Sequence, residues 1–269
     1  MRRLNLLITL VFAALIVASC ATSPTGRSQM IWKSDAELEA ESARAFNQMR
    51  AGLPLSTDRQ KIDFVACVAE AVVTTLEPPL SDIEWELAIF DSESINAFAM
   101  PGGKIGVFTG ILEVTENQDQ LAAVIGHEIA HVTARHSNER ASRASLTGVG
   151  INVAAIILGG GHRGATYTAQ QALGAGAALG ISLPHTRGQE SEADIIGLEY
   201  MAKAGFDPRE AVKLWQRMDA TTDKKPAEFV STHPASETRI EALVSEWPKT
   251  LPLYNEAVAE NRVPSCSKE

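Results

Sequence analysis

Apolar residues recur at helical spacing over several stretches of the chain and alternate over others, and capping residues, glycine and proline mark the breaks. Ser34-Asp35-Ala36-Glu37 signals a helix start, and a charged amphipathic helix is expected from there to about Arg50, with Gly52 and Pro54 breaking it. Thr57-Asp58-Arg59-Gln60 opens a second helix through Ile62, Val65, Val68 and Val72, ended by Glu77-Pro78-Pro79. In residues 85–90, Trp85, Leu87 and Ile89 alternate with Glu86 and Ala88, the two-residue period of a strand. Residues 95–100 and 104–109 read as two further strands joined by Pro101-Gly102-Gly103, an antiparallel hairpin.

Thr115-Glu116-Asn117-Gln118 fits a capping box, and Leu121, Val124, Ile125 and Ala130 follow as an apolar stripe. That helix is expected to run to about Arg135 or beyond. Residues 145–183 are rich in Ala, Gly, Leu and Ile and are divided by Gly159-Gly160-Gly161. Their apolar runs fall short of the ~20 residues a membrane span needs, so they read as helix, loop and helix. The loop is either an ordinary glycine-rich surface loop or a lid. Gln189 to Asp194 opens another helix with Ile195, Ile196, Leu198 and Met201 on its buried side, and Gly205 stops it. Asp207-Pro208-Arg209-Glu210 caps the next, through Val212, Leu214, Trp215 and Met218. Ser231-Thr232-His233-Pro234 leads into a helix carrying Arg239, and residues 251–269, with Pro252 and Pro264, read as an irregular tail. His162 and His185 read as loop or surface histidines. The class expected is α+β, mostly helical with a small antiparallel sheet.

The chemistry sits on the central helix. Gly126-His127-Glu128-Ile129-Ala130-His131 contains H-E-x-x-H. At ~3.6 residues per turn, His127 and His131 share a face and can point two imidazoles at one ion. Glu128 beside them can take a proton from a water that the ion activates, which makes this a zinc-protease signature with a mechanism attached. Glu190 and Asp194 are also four apart, so Glu190 can ligate the same metal while Asp194 holds a ligating imidazole by its other nitrogen. The alternative for these acids is plain helix-dipole pairing in a first turn.

With 269 residues, 45% of them hydrophobic, the chain can bury one sizeable core or two small ones. Its net charge of −9 and 6% aromatic content argue against nucleic-acid binding. Residues 1–19 read as a signal peptide: Arg2 and Arg3 lead an apolar stretch over 4–17 that ends in Val17-Ala18-Ser19-Cys20. The cysteine there resembles a bacterial lipobox, which implies cleavage before Cys20 and a lipid on it. A plain signal peptide and an uncleaved anchor are the alternatives. Residues 20–33 then form a polar, lipidated tether, and Ala21 in place of an acid points to the outer membrane, periplasmic face. The remaining pair, Cys67 and Cys266, reads either as a disulfide from an early helix to the tail or as two free thiols.

Taken in order, Thr25-Gly26-Arg27-Ser28-Gln29, Asn96-Ala97-Phe98-Ala99-Met100-Pro101-Gly102-Gly103, the Gly126 to His131 motif, Glu190 with Asp194, and Ser231-Thr232-His233-Pro234 with Arg239 carry a family resemblance. The chain resembles the zinc metallopeptidases that include the CAAX prenyl endopeptidases and HtpX-type heat-shock proteases, and most of all their bacterial outer-membrane lipoprotein branch. The resemblance implies a zincin-like domain over 34–250 with one zinc ion per chain, bound by His127, His131 and Glu190. It implies Glu128 as catalytic base and Asp194 behind a ligand. It implies that His233 and Arg239 face the metal from the far side, steadying an oxyanion or, for His233, filling the open position at rest. Asn96, Ala97, Phe98 and Ala99 would form the substrate-pairing strand. The implied function is a zinc-dependent endopeptidase acting on misfolded or unassembled envelope proteins. The alternative is a chaperone-like assembly factor that uses the same groove with its zinc held closed.

Overall fold

The computed structural model describes residues 20–147, 185–221, 229, 232, 233 and 238–268. Helix α1 (Asp35–Gly52) starts where Ser34 accepts the Glu37 N–H, and it buries Leu38, Ala45, Phe46 and Met49. Helix α2 (Arg59–Val73) starts at Asp58, whose carboxylate accepts the N–H groups of Gln60 and Lys61, and it buries Phe64, Val65, Val68 and Val72. Strands β3 (Glu86–Phe90), β4 (Ala97–Met100) and β5 (Lys104–Phe108) form one sheet. The expected hairpin is there: β4 and β5 are antiparallel, and Gly102 and Gly103 turn the chain at φ +77° and +71°. The sheet is not wholly antiparallel, however. β5 inserts between β3 and β4 and pairs with β3 in parallel, so the order is β3-β5-β4 and the sheet is mixed.

Helix α3 (Gln118–Thr133) is the centre of the molecule. Every residue from Gln120 to Val132 is buried, so it is enclosed all round rather than striped. It contacts α2, β4, α5 (Arg187–Lys203) and α6 (Arg209–Thr221). Its cap is Asn117, which accepts the Gln120 N–H, and not the expected Thr115, whose hydroxyl donates to the Ile111 carbonyl. The helix stops at Thr133. Arg135 takes φ +55°, and the chain restarts at once as α4 (His136–Thr147).

The approach of α3 to α5 decides where the chemistry meets. A Cβ on Gly126 would lie 2.8 Å from the Gly197 carbonyl oxygen, and one on Gly197 would lie 2.8 Å from the His127 nitrogen. The two helices thus touch backbone to backbone, which brings the first turn of α5 alongside His127 and His131. Thr186 and Gln189 form a capping box that fixes this turn.

Both chain ends differ from the sequence expectation. Residues 20–33 were expected as a polar tether, yet β1 (Cys20–Thr22) and β2 (Ser28–Met30) pair as an antiparallel hairpin. Gln29 is buried and donates to the Ala134 carbonyl at the end of α3. At the other end α7 (Arg239–Ser245) is followed by α8 (Trp247–Ala259), which runs through Pro252 where an irregular tail was expected. The residues beyond α8 are fixed as well. Cys67 and Cys266 form a disulfide, and Gln118, the first residue of α3, donates to the Pro264 carbonyl and accepts the Cys266 N–H. Among the described residues, no helix is long and apolar enough to cross a membrane. The expected lid around Gly159-Gly160-Gly161, and His162, lie outside the described residues.

Candidate metal centre

His127 and His131, one turn apart on α3, bring their Nε2 atoms to 3.0 Å. Glu190, in the first turn of α5, places Oε2 3.3 Å from His127 Nε2 and Oε1 3.5 Å from His131 Nε2. His233 adds Nδ1 at 3.2 Å from His127 Nε2 and 3.1 Å from Glu190 Oε1. The four side chains lie together as a group able to hold a metal ion, all 2–4% exposed.

His127 and His131 are each held by their other nitrogen. His127 Nδ1 lies 3.0 Å from Asp194 Oδ1, which in turn accepts from Arg239 Nη2 at 2.7 Å. Arg239 stacks its guanidinium 3.3 Å from the Trp215 ring centroid, and Nη2 also reaches Glu190 Oε2 at 3.4 Å. His131 Nδ1 meets His136 Nδ1 at 2.7 Å, and His136 Nε2 meets Glu192 Oε2 at 3.1 Å. His185, expected at the surface, is buried: its ring lies 3.8 Å from that of His131, centroid to centroid, and it contacts Arg140.

Glu128 faces the cluster from α3. Its Oε1 is 3.3 Å from His233 Nε2 but is a buried oxygen with no hydrogen-bond partner among the described residues. The carboxylate also accepts from the Ala99 backbone. Burial pushes its pKa up, against the pull of the neighbouring His233 and His127. Glu190 is driven the other way. Burial would raise it, but the charge of His233 and hydrogen bonds from His127 and His233 outweigh that and hold it well below the usual carboxylate range. His127 is pushed up to about 9: burial opposes its charge, and Asp194 and Glu190 overcome the burial. His131 is held well below its ordinary value, first by burial and then by the histidines around it.

Three imidazole nitrogens and a carboxylate oxygen facing one another fit a transition metal. These buried donor atoms lie about 3 Å from one another, and the set is of the kind that zinc sites use rather than calcium or magnesium sites.

The segment Asn96 to Ala99 lies on the edge strand β4 and the residue before it, alongside α3. Asn96 accepts the Ala97 N–H on its own side chain. Ala97 is buried, and the Phe98 ring packs with Phe46, Phe90 and Phe108. Phe98 is therefore a core side chain, and the backbone of the strand is what remains for pairing. Sequence reasoning gave no chemistry to His136 and Glu192, and it read His185 as a loop or surface histidine where the structure buries it. His136 is five residues past His131, off its face of any continuous helix; only the break at Arg135 turns it back.

A helix-borne imidazole pair with a neighbouring acid, closed by a carboxylate from a second helix, is the architecture of metallopeptidases. The profile of peptidase family M48 matches residues 60–247, most of the chain, and the chain belongs to that family. It is 40% identical over 170 residues to the mitochondrial metalloendopeptidase OMA1 of Schizosaccharomyces pombe, covering 62% of this chain. It is 32% identical over 199 residues to the beta-barrel assembly-enhancing protease of Yersinia pestis, covering 72% of this chain. Human OMA1 is 34% identical over 180 residues, covering 65% of this chain. The matches span 48%, 40% and 34% of those relatives' own lengths.

Proposed function

We propose that this protein is a zinc-dependent endopeptidase that cuts misfolded or unassembled proteins of the cell envelope. The observation that carries it is Glu128: a buried carboxylate whose Oε1, 3.3 Å from His233 Nε2, has no hydrogen-bond partner among the described residues, beside four grouped metal donors. Buried carboxylates are otherwise hydrogen-bonded, so this oxygen is reserved for a partner that arrives. Zinc bound by His127, His131 and Glu190 would polarise a peptide carbonyl and acidify water.

The rest is done by side chains of this chain. Asp194 holds His127 by Nδ1 and leaves Nε2 to the metal. Glu128, raised by burial, takes the water's proton at Oε1 and passes it to the leaving amine. His233 Nδ1, grouped with the other three donors, would give the metal a further ligand, and its withdrawal would make room for substrate. Once withdrawn, it and Arg239 steady the negative charge that develops on the carbonyl oxygen. An extended substrate pairs with the backbone of β4, which selects for chain conformation more than for sequence. That suits a protease acting on unfolded segments.

The anchoring part of the proposal rests on the sequence. Residues 1–19 are the signal peptide, Cys20 carries the lipid, and the chain sits on the periplasmic face of the outer membrane. The Cys67–Cys266 disulfide agrees with an oxidising compartment. The name of the Yersinia relative, a beta-barrel assembly-enhancing protease, supports envelope proteins as substrates.

The test is cleavage of an unfolded protein by wild type and Glu128→Gln, each with and without a chelator. Wild type should cut and lose cutting on chelation, and Glu128→Gln should bind zinc without cutting. Cutting that survives both treatments overturns the proposal. For the anchor, Cys20→Ser should move the protein from the membrane fraction to the soluble one.

A further inference from the structure

Asp194 accounts for the orientation of one metal-facing histidine, His127, and the turn of the hairpin at residues 20–30 reaches the support of another. The two facts meet at His131. We infer that His136 and Glu192 are positioning residues for the metal site, and that the Thr25–Arg27 turn completes it by holding Glu192. This rests on the reading that the cluster binds a metal.

Hydrogen-bond directions carry the argument. A carboxylate only accepts. Glu192 Oε2 lies 3.1 Å from His136 Nε2, so that nitrogen bears the proton and His136 Nδ1 presents a lone pair. His131 Nδ1, 2.7 Å from it, must then donate. The remaining nitrogen, His131 Nε2, is thereby left with its lone pair facing His127 and Glu190, where a cation would sit. The device is the Asp194 arrangement with one imidazole inserted. A single helix, α5, thus supplies a ligand in Glu190, a direct support in Asp194 and a relayed support in Glu192.

Glu192 is itself immobilised. Thr25 donates through its hydroxyl at 2.7 Å to Oε1, and Arg27 donates through Nε at 2.9 Å to Oε2. Arg27 spends its other nitrogens on Glu139, at 2.9 and 2.7 Å, and Gln189 donates to the same carboxylate. Glu192 and Glu139 have side chains 1% and 0% exposed, and the hairpin provides the charge that makes their burial tolerable.

The test uses the full-length chain loaded with zinc, competed against a chromophoric chelator, with thermal melting recorded in zinc and in excess chelator. Supporting a ligating histidine is worth about 10–100-fold in metal affinity. His136→Phe keeps the ring and removes the acceptor, so it should weaken zinc binding by about that factor, while melting in chelator drops only by the loss of the His136–Glu192 hydrogen bond. His136→Asn, which returns an acceptor near the Nδ1 position, should recover part of the loss. Thr25→Val, far from any metal-facing atom, should weaken zinc in the same direction by less, and it decides the matter if His136→Phe does not fold. Zinc held as tightly by His136→Phe, or by Thr25→Val where that variant decides, as by wild type overturns the inference and leaves the protease reading intact. A wild-type chain that takes up no zinc overturns both.

Discussion

The metal cluster has two unlike sides. On one, every polar atom that touches a metal-facing histidine is spoken for: His127 leans on Asp194 and Arg239, and His131 on His136 and Glu192. On the other, Glu128 keeps a buried oxygen with no hydrogen-bond partner among the described residues, and His233 stands between it and Glu190. The paired side fixes geometry, although Arg239 Nε and Nη1 are buried without hydrogen-bond partners among the described residues. The unsaturated side stores an unmet need that a reacting group can answer. In the proposed function, His127, His131 and Glu190 would hold the metal while Glu128 moves the proton.

That division can be broken most visibly at Glu128. Glu128→Gln should lower kcat by about 10²–10⁴-fold, the range for loss of a general base, while zinc content by atomic absorption stays at one per chain. A variant that loses metal instead would merge the two sides. Asp194→Ala should do the opposite, weakening zinc by about 10–100-fold in chelator competition. Its turnover at saturating zinc should fall far less than that of Glu128→Gln.

Proton competition sharpens the contrast. His127 is raised to about 9, so between its ordinary 6.5 and that value the imidazole carries a proton that a metal must displace. Apparent zinc affinity should climb about tenfold per pH unit across that window, by competition titration, and flatten above it. Glu128 is also raised, so kcat/KM should fall with acidification at a pH above the usual carboxylate value of 4.5, and a profile whose acid limb sits below 4.5 would contradict its burial as the cause. The smallest effect should appear in the melting temperature of chelator-treated protein. Glu139, Glu190 and Glu192 are held below 4.5, so their contribution is complete above that value and is lost as the pH falls beneath it.

The part of this site that follows helical spacing was legible in the sequence. His127 with His131, and Glu190 with Asp194, are pairs four residues apart, and each pair does lie on one face of one helix. The hairpin of β4 and β5 was legible too, because Pro101-Gly102-Gly103 demands a turn. What escaped depends on segments far apart in the chain. His136 reaches His131 only through the left-handed turn at Arg135, and Glu192 finds its partners in Thr25 and Arg27, 167 and 165 positions away. The segment Thr25 to Gln29 stood out only by family likeness, with no chemistry attached to it. Polar composition made residues 20–33 look loose and prolines did the same for 251–269, since neither property reveals a buried acid elsewhere; the disulfide that fixes the tail was one of the two readings of Cys67 and Cys266. The enclosure of α3 on all sides was hidden for the same reason.

Gln29 holds the last turn of α3 and Gln118 fastens the C-terminal segment to its first, so the central helix is gripped at its two extremities by the two ends of the chain. An expression fragment trimmed to residues 34–250 would retain every candidate ligand and discard both grips. Such a truncation should yield a poor zinc carrier despite an intact H-E-x-x-H, and crystallographers or engineers shortening the protein would do well to spare its extremities.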